Sequence, residues 1–330
     1  MKLVTATRRT FIAGAAMVLA GAVAAQQGAP QAFPSKPIRL IVAFPPGGST
    51  TVVARLVGQK LTERLGQPVV VDNRPGANGV IASEELVRSL PDGHTLVMVV
   101  NTHSINPLVM ATMPYDNNKD FAAVSPLYKF ELVMVGHPSV PAANLREFIA
   151  LAKDKPGTLN FAAGDNVGLT HLASETFNTI AGVKIQVVPY KGSGPALTDT
   201  VAGHVQAYFS SPTAVVSYVK AGRLKGYAIS GKARSSALPE VPTFTEAGLP
   251  GFNAGGWAGI LAPAATPKDI VNKLATEIAA IMALPDIKES LSMQGLDSFT
   301  TTPEQFAELI KSDTVRFDKV IKAANIKLEK

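Results

Sequence analysis

The chain contains no cysteine. That absence excludes a disulfide scaffold, a thiolate-held zinc or iron–sulfur centre, a cysteine nucleophile and a lipid-modified N-terminal cysteine. Charged residues make up only 17% of the 330 residues, against 46% hydrophobic. This balance excludes a disordered chain and supplies side chains for real cores. No block of Lys and Arg occurs, so the net charge of +6 does not read as a nucleic-acid footprint. The five histidines (His94, His103, His137, His171 and His204) form neither H-x-x-x-H nor H-E-x-x-H, so there is no metal motif. Gly192-Ser193-Gly194 is not the G-x-S-x-G elbow of a serine hydrolase. No catalytic residue, metal or cofactor is therefore expected. The length suits two domains, at roughly 100–200 residues each.

What is present begins with an export signal. Residues 1–25 carry Lys2, Arg8 and Arg9 and no acid, then an apolar run from Phe11 to Val23 and small residues up to Ala25. This is the layout of a cleavable signal peptide, with Val23 and Ala25 at the −3 and −1 positions. Thr7-Arg8-Arg9-Thr10-Phe11-Ile12 is similar to a twin-arginine signal. A membrane anchor is the alternative, but a span needs about 20 apolar residues and this run is shorter. Removing the three cations leaves 28 basic and 25 acidic residues, a net +3. The expected mature product is a soluble periplasmic protein, starting near Gln26, with no lipid anchor.

From Phe33 onward, strands alternate with helices. Apolar, β-branched runs predict strands at 38–44, 68–71, 95–100, 132–135, 159–162, 184–188, 205–209, 224–230 and 257–261. Helical spacing predicts helices over 50–65, 79–90, 145–152, 170–181, 196–201, 213–221, 267–283 and 303–323. Pro303 opens the last of these, with Thr302 before it as a candidate N-cap. Such alternation predicts α/β architecture, with mainly parallel sheets flanked by helices. Ligands of such sheets sit beyond the carboxyl ends of the strands, where loops lead into helices.

Four loops there have the right chemistry. Phe44-Pro45-Pro46-Gly47-Gly48-Ser49-Thr50-Thr51 offers glycines and the free N–H groups of a helix start, which favour a small carboxylate. A tight turn capped by Ser49 or Thr50 is the alternative. Gly164 to His171, including Asn166, Gly168 and Thr170, repeats the device; His171 either donates to an anion or serves as a structural hydrogen-bonder. Tyr190-Lys191-Gly192-Ser193 is the third, where Lys191 either offsets ligand charge or is simply solvated. Ser210-Ser211-Pro212 is the fourth. Thr102, just past the strand 95–100, is a further candidate. Trp257, the single tryptophan, is either core or a lid over the ligand.

Several stretches together resemble one family. They are Pro34 to Val42 followed by Pro45 to Thr50, Val70 to Gly79, Pro91 to Leu96, Val188 to Gly192 with Pro195 to Asp199, Pro239 to Thr243 with Glu246 to Gly251, and Ala262 to Pro267. In order and along the whole mature chain, they are similar to the Bug-type extracytoplasmic solute receptors of tripartite tricarboxylate transporters. The resemblance implies a two-lobed periplasmic binding protein fold, type II-like, closing on a small carboxylate. It implies one lobe of residues 33–130 plus 255–330 and another of 131–254, joined by two crossings. It implies ligand contacts from Gly47, Gly48, Ser49 and Thr50 on one lobe. On the other it implies Gly168, Thr170, His171, Lys191, Gly192 and Ser193. Membrane permease subunits are the implied partners of a monomeric receptor.

This chain departs from the family pattern at Thr51 and Ser210, where the family more often carries Asp. Both changes remove negative charge beside the expected cleft. The expected ligand is therefore a mono- or dicarboxylate without an amino group. Two alternatives stand beside transport. One is a receptor that feeds a membrane signalling system through the same cleft. The other is a secreted hydrolase or isomerase, for which no nucleophile–base motif is present.

Overall fold

The computed structural model describes residues 32–46, 49–164, 167–324 and 326. The export signal therefore lies outside the described residues. The chain divides into a unit of residues 1–35 and a unit of residues 36–330. Every described helix and strand belongs to the second unit. Among the described residues, no helix is long and apolar enough to cross a membrane.

The strands are β1 (Ile38–Val42), β2 (Val69–Asn73), β3 (Thr95–Val100), β4 (Phe121–Phe130), β5 (Val133–Gly136), β6 (Asn160–Ala163), β7 (Gln186–Pro189), β8 (Ala207–Ser210), β9 (Lys225–Ile229), β10 (Gly256–Pro263) and β11 (Asp297–Ser298). The helices are α1 (Ser49–Leu65), α2 (Val80–Val87), α3 (Thr102–Val109), α4 (Leu145–Asp154), α5 (Leu169–Ala181), α6 (Ser193–Ala202), α7 (Pro212–Lys220), α8 (Lys268–Met282), α9 (Pro285–Met293) and α10 (Pro303–Ala323). One sheet has the order β11-β4-β10-β3-β1-β2 and the other β7-β6-β8-β5-β9.

Both sheets are mixed, yet most strands of each run in one direction, as the mainly parallel expectation had it: β1, β2, β3 and β4 in the first sheet and β6, β7, β8 and β9 in the second. β1 runs parallel to β2 and β3, and β6 runs parallel to β7 and β8. β10 is antiparallel to β3 and β4, and β5 is antiparallel to β8 and β9. The reason is topological. The chain leaves the first sheet along β4 and returns beside it along β10, and adjacent outgoing and returning strands must oppose.

Periodicity located α1 within a residue. Its buried side chains Val53, Val57 and Leu61 repeat every four residues, while Val52 faces solvent. Four elements are absent from the sequence-based elements, α3, β4, α9 and β11, and the first two share a cause. α3 contains Pro107 and β4 contains Pro126, and proline demotes both patterns. β4 tolerates Pro126 because its register against β10 is irregular there, with Pro126 opposite Gly259.

The first sheet buries Ile41, Val97, Val99 and Leu86 with Trp257 and Phe306. The second sheet is built on rings. Phe148, Phe161, Phe177, Phe209, Phe244 and Phe252 are all buried there, and Phe244 and Phe252 have centroids 4.0 Å apart.

Thr302 caps α10 as expected. Its hydroxyl accepts from the Gln305 amide at 3.3 Å, and Gln305 accepts from the Thr302 amide at 3.2 Å. Changing Thr302 to alanine is expected to cost about 1 kcal/mol in urea unfolding; a change within experimental error would show that the cap contributes nothing.

Candidate functional site

The parallel strands of the two sheets end in the candidate loops. In the first loop, Phe44 is half-buried, Pro46 and Ser49 are exposed, and Thr50 and Thr51 are buried. Gly47 and Gly48 lie outside the described residues. β1 and β2 are in register with Val42 opposite Asn73, which brings the Asn73 side chain level with the loop. Its amide donates to the Phe44 carbonyl and to Thr51 Oγ1, both at 2.8 Å. Thr51 Oγ1 in turn donates to the Pro45 carbonyl at 3.3 Å. The Thr51 hydroxyl therefore faces its own loop. The buried Tyr128 of β4 lies beside the Ser49 and Thr50 side chains, and burial pushes its phenol pKa upward.

Thr102 opens α3 beside this loop. A Cβ placed on Gly79, whose φ is +94°, would lie 3.2 Å from Ala43 Cβ and 3.9 Å from Thr102 Oγ1. The turn before α2, the end of β1 and the start of α3 are thus packed together.

In the second sheet, Thr170 Oγ1 accepts from the Gly164 amide at 2.9 Å, closing the loop between β6 and α5. Gly168 is the N-cap of α5 in extended conformation. Asn166 lies outside the described residues. His171 Nε2 is 4.0 Å from Glu175 Oε1, and its buried Nδ1 has no hydrogen-bond partner among the described residues. In the third loop, Tyr190 donates to Asp199 Oδ2 at 2.9 Å. Burial first, and then the Asp199 hydrogen bond and charge, push the phenol up to about 12. Lys191 and Ser193 are exposed, and Gly192 has φ +117°. A Cβ on Gly164 would sit 2.8 Å from Ser193 Oγ, so the second and third loops touch and a side chain at 164 would separate them. Ser210, at the end of β8, is buried and in register with Val133.

Trp257 is core, which corrects the lid reading. Its indole is 3% exposed and packs edge-on against Phe306, with centroids 5.1 Å apart. Its Nε1 donates to Asp313 Oδ2 at 2.7 Å. Asp313, itself buried, also accepts from Asn101 Nδ2 at 3.2 Å and Arg316 Nη2 at 2.9 Å. Asn101 Oδ1 accepts from the Trp257 amide at 2.8 Å, and Arg316 Nη1 donates to the Asn253 carbonyl at 3.0 Å. This network joins the end of β3, the start of β10, the middle of α10 and the segment returning from the second sheet.

Sequence reasoning missed Asn73, Tyr128 and Asp313. Asn73 stood inside one of the stretches that carry the family resemblance, yet nothing local showed which way its side chain turns. The other two are brought in by strands and helices distant in the chain.

Two mixed sheets, each with helix-start loops at the carboxyl ends of its parallel strands, constitute the two-lobed fold of the periplasmic binding proteins. Residues 53–326 match the tripartite tricarboxylate transporter family receptor, TctC, and the chain belongs to this family of periplasmic solute-binding receptors. It is 35% identical over 325 residues to the protein BugT of Bordetella pertussis, covering 98% of this chain and 99% of BugT. Its fold is similar to that of an R. palustris protein solved with adipate, with TM-score 0.78, 31% identity, and 90% and 100% of the two chains covered. It is also similar to MatC from Rhodopseudomonas palustris with bound malate, with TM-score 0.73, 30% identity, and 88% and 100% covered.

Proposed function

We propose that this receptor captures a small carboxylate without an amino group between its lobes and delivers it to the membrane subunits of a tripartite tricarboxylate-type transporter, performing no chemistry. The observation that carries this reading is the repeated loop construction. β1, β6 and β7 each lead within a few residues into a helix start, those of α1, α5 and α6, and the segments after β6 and β7 meet at Gly164 and Ser193. Hydrogen bonds to a charged group contribute roughly 1.5–3 kcal/mol each, and a helix N-terminus about 0.3–1 kcal/mol. Micromolar affinity needs about 8 kcal/mol net, which several such contacts from Ser49, Thr50, Gly168, Thr170, His171, Gly192 and Ser193 supply. The adipate and malate held by the two solved relatives belong to the same chemical class.

The lack of an amino group follows from charge. A buried ammonium needs an anionic partner, because an unpaired charge costs several kcal/mol. Ser210 is neutral and Lys191 is cationic. Thr51 carries less weight than the sequence suggested, because its hydroxyl faces the loop.

The lobes, residues 33–130 plus 255–330 and residues 131–254, would hinge where the two crossings lie side by side. A Cβ on Gly255 would come within 2.9 Å of Glu131 Oε2 and of the Phe130 carbonyl, and one on Gly256 would run into the Phe130 ring. The proposed route to the periplasm is the signal in residues 1–25.

Calorimetry against succinate, aspartate, glutarate, glutamate, adipate, malate and benzoate tests the ligand class. Each deaminated acid is expected to bind more tightly than its amino analogue. Tighter binding of aspartate than succinate, or of glutamate than glutarate, would overturn the ligand class. Silence across the whole panel would overturn the small-carboxylate reading.

A further inference from the structure

We propose that Thr51 and Asn73 are the positioning residues of the anion-binding loop, acting on ligand affinity through loop geometry and not through contact with the ligand. The inference rests on the carboxylate-receptor reading of that loop. Thr51 sits in the first turn of α1, where sequence alone places it among the ligand contacts. It is 1% exposed. Its hydroxyl proton goes to the Pro45 carbonyl at 3.3 Å, and its oxygen accepts from Asn73 Nδ2 at 2.8 Å. The same Asn73 amide group donates to the Phe44 carbonyl at 2.8 Å. Two consecutive carbonyls, those of Phe44 and Pro45, are thereby tied to the first turn of the helix and to the end of β2.

The arrangement follows from strand register. Asn73 lies opposite Val42, and the Arg74 amide donates to the Val42 carbonyl at 2.9 Å. The backbone of β2 thus runs alongside β1 to its last residue and carries the Asn73 side chain to the turn. A hydroxyl is needed at position 51 because the site asks one atom both to donate to a carbonyl and to accept from an amide. Valine has the same shape and can do neither. Serine can do both.

The physical consequence concerns ordering. Backbone N–H groups hold an anion well only when they already point at it; a loop that must be ordered on binding subtracts that ordering from the affinity. The carbonyls of Phe44 and Pro45 must also be held away from the anion. Thr51 and Asn73 achieve both by satisfying those carbonyls on the protein side.

The test uses Thr51→Val, Thr51→Ser and Asn73→Ala in the full mature chain, with two readouts. The first needs no ligand. It is hydrogen exchange of amides 53–57, the first of α1 to bond within the helix. Thr51→Val and Asn73→Ala should exchange there at least about tenfold faster than the wild type, while amides of α5 in the other sheet stay unchanged. Thr51→Ser should match the wild type. A general loss of stability would instead raise exchange in both helices. The second readout is calorimetry with adipate as probe. Thr51→Val and Asn73→Ala should each bind about tenfold more weakly, the double variant no more weakly than either alone, and Thr51→Ser within about twofold. Unchanged exchange at 53–57 in both Thr51→Val and Asn73→Ala overturns the inference, as does full adipate affinity in both. If the wild type binds none of the acids in the panel, the carboxylate reading falls, while the exchange readout still decides whether these residues order the loop.

Discussion

Replacing Asp313 by alanine is expected to destabilise the protein by about 3–5 kcal/mol, because the buried carboxylate satisfies two core donors as well as the half-buried Arg316. The carboxylate is 7% exposed and accepts from three donors on three elements: Asn101 after β3, Trp257 at the start of β10 and Arg316 on α10 itself. Removing it strands the indole N–H and the Asn101 amide in the core, each at a cost of roughly 1–3 kcal/mol. It also frees Arg316, which otherwise holds the Asn253 carbonyl in the returning segment. Trp257 is the single tryptophan, so its fluorescence reports the network directly. Urea unfolding followed by that fluorescence should show the loss, with a red-shifted native spectrum. Asp313→Asn keeps an acceptor for Trp257 but loses the charge facing Arg316, and should fall between wild type and alanine. A loss below about 0.5 kcal/mol for alanine, the scale of ordinary surface changes, would show that the network is incidental.

The second large effect is on acid stability. His103 of α3 is 3% exposed and lies between Tyr115 and Phe121, with ring centroids 6.5 and 4.8 Å away. Neither ring nitrogen has a hydrogen-bond partner among the described residues. Burial lowers its pKa from 6.5 to about 4. The folded protein therefore prefers the neutral ring, and the unfolded chain binds more protons between the two values. Stability is at its full value above about pH 6.5 and is lost as pH falls toward 4, to a total of about 3 kcal/mol from this one residue. His103→Phe should unfold with a free energy that drops less between pH 7 and pH 4.5, by about 2–3 kcal/mol, than the wild type does. Carboxylates whose pKa values are lowered by cationic partners, such as Asp72 held by Arg39 and Arg74 and Asp286 held by Lys60, add acid lability of their own. They are common to both proteins and cancel in the comparison. Equal pH slopes for the two proteins would refute the role assigned to His103.

These two cases mark where sequence reading stops. Both residues are polar positions inside helices, and neither stood out as a candidate for anything. Asp313 became visible only when α10 was laid across the ends of β3 and β10, which bring Asn101 from 212 residues away. Trp257 remained undecided between core and lid for the same reason: a glycine-rich approach is compatible with either, and only the Asp313 and Phe306 contacts decide it. Thr51 shows a subtler limit. Its type and position fitted a ligand contact, but the direction of its hydroxyl depends on Asn73, brought alongside by strand pairing.

What the chain determined by itself is everything written within a few residues. The alternation of buried strands and helices, the glycine turns that lead into α1 and α6, the Thr302–Gln305 cap and the position of the helix-start loops all depend on local periodicity, backbone freedom and capping. Tertiary structure decided what depends on pairs far apart in sequence. It set the antiparallel strands that carry the chain out of one sheet and back into it, and the contact between Gly164 and Ser193 that joins two loops. It also set the buried charge of α10 against Asn101 and Trp257. The division has one physical cause. Propensity and capping act through neighbouring dihedral angles, whereas a buried hydrogen bond or a close backbone approach exists only once sheet order and register have placed its two halves together.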